Sequence, residues 1–242
     1  MVFKFTHFLF HKIYWLYRFL YFIFKHRQDR QEIKLMKSYA NKGDTIIDVG
    51  ANIGFYAQLF SRWVGPNGKV YCFEPDTNNY HRLLQTTQNL NNVRTKNAAA
   101  SNTTGQLEFY TSPDKNVDHR AYAPDTFATK YTVDCVRIDE FLGPSTKVNI
   151  LKVDVQGFEM QVYKGLEKIL AANPEMKIFS EFWPYGLQKA GSSKEEYFKF
   201  FTEKGFTIYL LKDNKETIIT EASLKDFPIS EGEYFNVFMS QI

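Results

Sequence analysis

The sequence predicts an α/β fold, a mostly parallel sheet with helices on both faces. Three observations carry the prediction. Apolar runs of strand length alternate with helical-period segments from about residue 44 to residue 204. Four of those runs end on an acid, and a glycine turn, "GANIG" at 50–54, joins the first run to a helix.

The chain divides into an N-terminal segment, residues 1–40, and a body, residues 41–242. The opening "MVFKFTHFLFHKIYWLYRFLYFIFKHR" holds 11 aromatic residues within its first 26 positions. Lys4, His11, Arg18 and Lys25 recur every seven residues, which on a helix makes one narrow polar stripe beside a broad aromatic face. Its uncharged runs are too short for a span of about 20 residues, and Arg18 interrupts the apolar region a signal peptide would need. Two readings stand for residues 1–26: a helix lying in the plane of an anionic membrane, or an aromatic helix packed on protein. The amphipathic "RQEIKLMKSYA" leads into the body.

In the body, strands are predicted near 44–49, 69–74, 93–98, 148–153 and 176–182, and helices near 54–64, 77–90, 158–171 and 193–204. "GPNG" at 65–68 turns from helix to strand. Residues 105–111 and 132–137 read as an inserted hairpin, and the long polar loop between them suits a binding or lid role. "FTIYLL" and "YFNVFMS" supply an antiparallel pair that closes the sheet.

Charge excludes one function class. Residues 1–34 carry seven Lys/Arg against Asp29 and Glu32, leaving the rest of the chain with 23 basic and 25 acidic residues. The body is therefore no nucleic-acid binder by charge. Cys72 and Cys135 lie far apart, which suits a reduced, cytoplasmic setting, and no zinc-ligand spacing occurs.

The acids define the site. "TIID" ends on Asp48, "VYCFE" on Glu74, "NILKVD" on Asp154 and "KIFSE" on Glu181. At the carboxyl ends of an open sheet, four carboxylates repel a pyrophosphate and attract a cation. A nicotinamide fingerprint also fails, because Asn52 and Phe55 stand where glycines are required. The nucleotide that fits is S-adenosylmethionine, which carries a sulfonium and an ammonium but no phosphate. Asp48 then helps hold its methionine end, directly or through water, and Glu74 grips the ribose hydroxyls. Gly50 and Gly54 allow close approach, Asn52 tolerates unusual backbone angles, and Asn97 and Ala98 line the adenine.

These residues resemble the FkbM family of S-adenosylmethionine-dependent methyltransferases. The resemblance rests on "IDVGANIGFYA" (47–57), "FEPD" (73–76), "NAAAS" (97–101), "IDEF" (138–141), "LKVDVQGFE" (151–159), "YKGL" (163–166) and "SEFWP" (180–184), in that order. It covers about residues 40 to 240, with Gln156 where many members have glutamate. It implies the class I methyltransferase fold, a Rossmann-like sheet of seven strands with the last antiparallel. It also implies O-methylation of hydroxyls on sugars, glycolipids or natural products.

A hydroxyl acceptor must lose its proton, so a base is sought. Asp154 is the first candidate, as base, as acceptor-orienting group, as ligand for Mg²⁺ with Gln156 or Glu159, or merely as a helix cap. The following helix carries the apolar stripe Phe158, Val162, Leu166 and Leu170. Glu181 is the second candidate, against an ordinary pairing with lysine. His119, beside Arg120 in the long loop, is the third, against plain solvation; His81 reads as exposed. The expected protein is a methyltransferase on a glycan, glycolipid or other small acceptor, at the inner membrane face, with no resident metal. The competing reading is an inactive scaffold that keeps the fold.

Overall fold

A computed structural model describes residues 10, 12–112 and 118–241. Helices α1 (Tyr14–Gln28) and α2 (Arg30–Tyr39) lead into β1 (Thr45–Val49), α3 (Phe55–Val64), β2 (Lys69–Phe73), α4 (Thr77–Thr87) and β3 (Val93–Lys96). Next come β4 (Ala99–Ala100), β5 (Gly105–Tyr110), β6 (Lys130–Val136) and α5 (Ile138–Leu142). They are followed by β7 (Ile150–Val153), α6 (Glu159–Lys164), α7 (Glu167–Ala172), β8 (Lys177–Phe182), α8 (Pro184–Lys189) and α9 (Lys194–Thr202). The remaining elements are β9 (Phe206–Lys212), β10 (Lys215–Ile218), a 3-10 turn (Glu221–Asp226) and β11 (Phe235–Gln241).

The main sheet has the order β10-β9-β11-β8-β7-β1-β2-β3. The five strands from β8 to β3 are parallel, and β11 runs against both of its neighbours. This is the expected arrangement of seven strands with the last reversed, plus one strand. The extra strand, β10, pairs with β9 through Asp213 and Asn214, both at positive φ, as a tight hairpin requires. All four of its residues are exposed, so no apolar alternation announces it.

Central strands buried on both faces read as continuous apolar runs, and β1 and β7 do so. Alternation then divides the core. Ile47, Val49, Leu151 and Val153 face α6 and α7, while Ile46 and Ile150 face α3 and α2. Strand order reverses between β1 and β7, where Asp48 stands in register with Lys152. The carboxyl ends of these two strands open the crevice of an α/β sheet.

Two elements differ from expectation. The strand predicted over 93–98 ends at Lys96, and Ala99–Ala100 pairs instead with β6 in a second sheet of order β4-β6-β5. That sheet contains the expected hairpin as β5 and β6. The helix predicted over 158–171 is two short helices, broken at Gly165 and Leu166. A Cβ on Gly165 would stand 1.9 Å from the Ser101 carbonyl oxygen, so the chains approach where only glycine fits. Val162, Leu166 and Leu170 are buried as the stripe requires, and Phe158 is half-buried. Both cysteines are buried and free.

The aromatic N-terminal helix does not present one continuous free face. Tyr17 is buried, the Phe22 ring meets Phe55 at 5.2 Å, and the Arg82 guanidinium lies 3.9 Å over the Tyr14 ring. Phe10 is buried against Tyr14 and Tyr17. The opposite side stays open, with Trp15 72% and Phe19 60% exposed. Lys4 and His11 of the basic stripe fall outside the described residues. Lys25 turns inward to Asp29 at 2.7 Å. No described helix is long and apolar enough to cross a membrane.

Candidate active site

The β1–α3 turn is built by three left-handed residues, Gly50, Asn52 and Gly54, with φ of 81°, 50° and 88°. Asparagine tolerates that region, as expected of Asn52, and its Oδ1 accepts from the Ile53 amide at 2.8 Å. The two glycines make room chiefly for protein. A Cβ on Gly50 would lie 2.0 Å from the Asp154 carbonyl oxygen, and one on Gly54 would lie 2.9 Å from Leu83 on α4. Close approach is thus required, but at Gly54 it is to a helix.

Glu74 extends from the end of β2 and pins this turn. One carboxylate oxygen accepts from the Asn52 amide at 2.8 Å and the other from the Asp76 amide at 3.0 Å. Burial pushes its carboxyl up to about 8, against the pull of those two N–H donors. Asp48 is fully buried, and neither of its carboxylate oxygens has a hydrogen-bond partner. Burial raises it to about 6, with Lys152 opposing and Asp154 reinforcing the shift.

A cavity of about 770 Å³ opens beside the turn. Gly50, Asn52, Glu74, Asp154, Glu181 and His119 line it, so six of the predicted site residues share one space. Asp48 and Gly54 lie outside its wall, Asp48 fully buried at the chain position before Val49. Asn97 and Ala98 are also displaced from it. The Asn97 amide ties down the carbonyls of Glu74 and Pro75 from behind, at 2.8 and 3.0 Å, and it is Ala99 and Ala100 that reach the wall.

The two acids predicted for catalysis are joined by a residue that sequence reasoning weighed only as a metal ligand. Gln156 Nε2 donates to Asp154 Oδ1 at 3.0 Å and to Glu181 Oε2 at 3.1 Å. Gln156 itself sits at φ 56°, and its carbonyl accepts from the Tyr122 hydroxyl at 2.9 Å. Glu159 holds the same loop, its Oε1 accepting from the amides of Val155 and Gly157.

The acids are held in different states. Burial opposes ionisation of Asp154, but Lys152, 3.3 Å away, and Lys25 outweigh it, so the carboxyl lies below the ordinary range. Burial and the charges of Asp154 and Glu159 push Glu181 well above it. The two carboxyls are thus driven apart, Asp154 toward the ionised form and Glu181 toward the protonated one. Asp154 is still reachable, its side chain 36% exposed into the cavity.

Lys152 was missed, although it lies two residues before Asp154 on one strand and so on the same face. It is buried, and its ammonium lies 4.5 Å over the Tyr56 ring. The Tyr56 hydroxyl donates to Asp29, which also pairs with Lys25. Tyr21, Lys25, Asp29 and Glu32 thus form a wall contributed by α1 and α2. Spacing gave no signal for this, because Lys152 meets Tyr56 across 96 residues and Tyr56 meets Asp29 across 27.

His119 reaches the cavity with Nδ1 accepting from the Ser112 amide at 3.0 Å. Burial lowers its pKa and so favours the neutral ring, against the pull of Asp76 and Asp118. Arg120 stacks 4.9 Å over Trp183. No group of three or more metal-ligating side chains occurs among the described residues.

The chain matches the family described as "Methyltransferase FkbM domain" over residues 48–208. It belongs to the FkbM methyltransferase family. The family's methyl donor is S-adenosylmethionine, and the site fits it. The orphaned Asp48 oxygens and a wall carrying Glu74, Asp154 and Glu181 call for donors and positive charge, which suits a sulfonium and an ammonium better than a pyrophosphate.

Among curated proteins, the chain is 29% identical to the hexuronic acid methyltransferase AglP of Haloferax volcanii over 60% of its own length. It is 30% identical to methyltransferase 1 of Beauveria bassiana over 50% of its length. It spans 59% and 58% of those relatives. Among solved structures, an rRNA methylase from Streptococcus thermophilus superposes with a TM-score of 0.52 at 10% identity, over 87% of this chain and 94% of that one. The FkbM methyltransferase of Methylobacillus flagellatus gives 0.51 at 14% identity, over 81% and 43%. These two show the shared class I fold alone.

Proposed function

We propose that this protein transfers a methyl group from S-adenosylmethionine to a hydroxyl of a sugar-type acceptor, with Asp154 taking the hydroxyl proton. The single observation that carries this reading is the Asp154–Gln156–Glu181 bridge, in which one amide holds two carboxyls in a single cavity. S-adenosylmethionine, when bound, supplies the electrophilic methyl group. Glu74 and the turn at Gly50 and Asn52 would hold its nucleoside part, with Ala99 and Ala100 on the wall beside them; Asp48 would act on the methionine end from below.

The rest of the cavity suits a carbohydrate. Trp183, Tyr21, Phe24 and Tyr234 offer aromatic faces, and Gln28, Asn236 and Glu181 offer planar polar groups for hydroxyls. The relative named as a hexuronic acid methyltransferase supports the same class. His119 lines the same cavity, and Lys152 with Lys25 favours the ionised form of Asp154. Such a carboxylate is a weak base, so its contribution is to orient the hydroxyl and accept its proton late. Mass spectrometry of polysaccharide and lipid extracts, with and without the gene, tests the reading: a methyl increment on a carbohydrate supports it, and unchanged extracts oppose it.

Cofactor binding should be linked to protons. Asp48 at about 6 and Glu74 at about 8 are both raised. A raised carboxyl favours the folded state while protonated, and that contribution fades as pH climbs from the unfolded value of about 4 to the folded one. A bound cation favours ionisation instead. S-adenosylmethionine should therefore bind more tightly as pH rises from 6 to 8 and release protons on binding. Calorimetry in buffers of differing ionisation enthalpy reads this directly, and proton uptake would contradict it.

A further inference from the structure

Helix α1 has two working faces. One supplies Tyr21, Lys25 and Gln28 to the catalytic cavity. The other, at the i, i+3, i+4 spacing of a single helical stripe, carries Trp15, Arg18, Phe19, Ile23, His26 and Arg27. Between this stripe and α3 runs a groove of about 590 Å³, with Arg62 on the far side. Every ionisable residue lining it is basic or histidine, and none is a carboxylate. Arg18 lies 5.3 Å over the Phe22 ring, so its charge is held at the groove. Phe24, 58% exposed, also lines the catalytic cavity and so stands at its lip.

We propose that this outer face of α1, with the groove beside it, docks on an anionic lipid bilayer, Trp15, Phe19 and Ile23 entering the interface and the cations taking acidic head groups. Exposed aromatics backed by cations, with no acid among them, match an acidic lipid surface in both apolar area and charge. Because the same helix walls the catalytic cavity, a docked protein would hold that cavity at the bilayer surface. The acceptor class that follows is an amphiphile, a sugar carried on a lipid. That second step rests on the methyl-transfer reading, but the docking itself does not.

Co-sedimentation of the full chain with phosphatidylglycerol-containing and pure phosphatidylcholine vesicles tests it. The expected result is sedimentation with acidic vesicles alone, weakening as salt shortens the screening length below about 10 Å. Each cation near such a surface is worth about fivefold in partition. Arg18→Glu with Arg62→Glu should therefore lower partition at least about tenfold. Trp15→Glu with Phe19→Glu should also abolish sedimentation. Calorimetry should give both variants the parent's affinity for S-adenosylmethionine, which shows that they fold and keeps docking separate from methyl transfer. Should the variants fail to fold, the salt dependence of the parent decides. Equal partition into both vesicle types, or none, overturns the proposal. So does light scattering that finds a parent dimer made monomeric by Trp15→Glu with Phe19→Glu, since a second copy would then cover the face.

Discussion

Replacing Asp154 with asparagine is expected to slow methyl transfer by about 10²–10⁴-fold, the range for loss of a positioned acid–base group. The substitution keeps the shape, and the Gln156 amide can still donate to the remaining carbonyl oxygen. It removes the charge that balances the buried Lys152 ammonium, 3.3 Å away, and with it the carboxylate proposed to accept the proton. Glu181 is a different kind of group, because burial, with the charges of Asp154 and Glu159, pushes its carboxyl well above the ordinary range. Release of S-adenosylhomocysteine with a glycan extract as acceptor gives the rate, and calorimetry should show cofactor affinity near that of the parent. Parental turnover would remove Asp154 from the chemistry. A parallel loss of cofactor affinity would make it a binding residue instead.

The second large effect is expected at Glu74. Its alanine variant should bind S-adenosylmethionine about 1.5–3 kcal/mol more weakly, the scale of a hydrogen bond to a charged group. Two losses combine here. The ribose grip disappears, and the Asn52 and Asp76 amides lose their acceptor, so the left-handed turn is no longer held. Glu74→Gln separates the two. Its one carbonyl oxygen can keep either amide satisfied, so the glutamine variant should fall between parent and alanine. Unchanged affinity in the alanine variant would show that Glu74 serves the turn alone.

The sequence and the structure agree where short-range rules decide. β1, its glycine turn, Glu74 at the tip of β2 and Asp154 at the tip of β7 follow from apolar run length, turn chemistry and strand polarity, all local properties. β10 escaped because "KETI" is wholly exposed and carries no alternation, while its real signal was Asp213–Asn214. The break at Gly165 answers to the Ser101 carbonyl, a contact across the fold that no helical periodicity records. Asn97 and Ala98, expected beside the adenine, do not reach the cavity wall, because the chain leaves the main sheet after Lys96 and brings Ala99 and Ala100 there.

The wall from α1 and α2 was the least legible part. Aromatic density at residues 1–26 supported either membrane or packing, as if the helix had one destination. Residues facing inward at Tyr17, Tyr21 and Lys25 and outward at Trp15, Phe19 and Ile23 use both sides of one helix. Deleting the segment would therefore strip Lys25 and Tyr21 from the catalytic cavity as well as the outer face. Substitutions on the outer face alone separate the two roles.

The most direct measurement is the fate of a labelled methyl group. The purified full-length protein is incubated with S-adenosylmethionine carrying a ¹³C-methyl, and with carbohydrate acceptors bearing free hydroxyls, among them a hexuronate-containing glycan. The products are read by ¹³C–¹H correlation spectroscopy. The predicted result is an O-methyl resonance on a sugar carbon, absent with Asp154→Asn at equal enzyme and time. Label recovered as N-methyl or C-methyl, or formed equally by Asp154→Asn, would contradict a carboxylate-assisted transfer to a sugar hydroxyl.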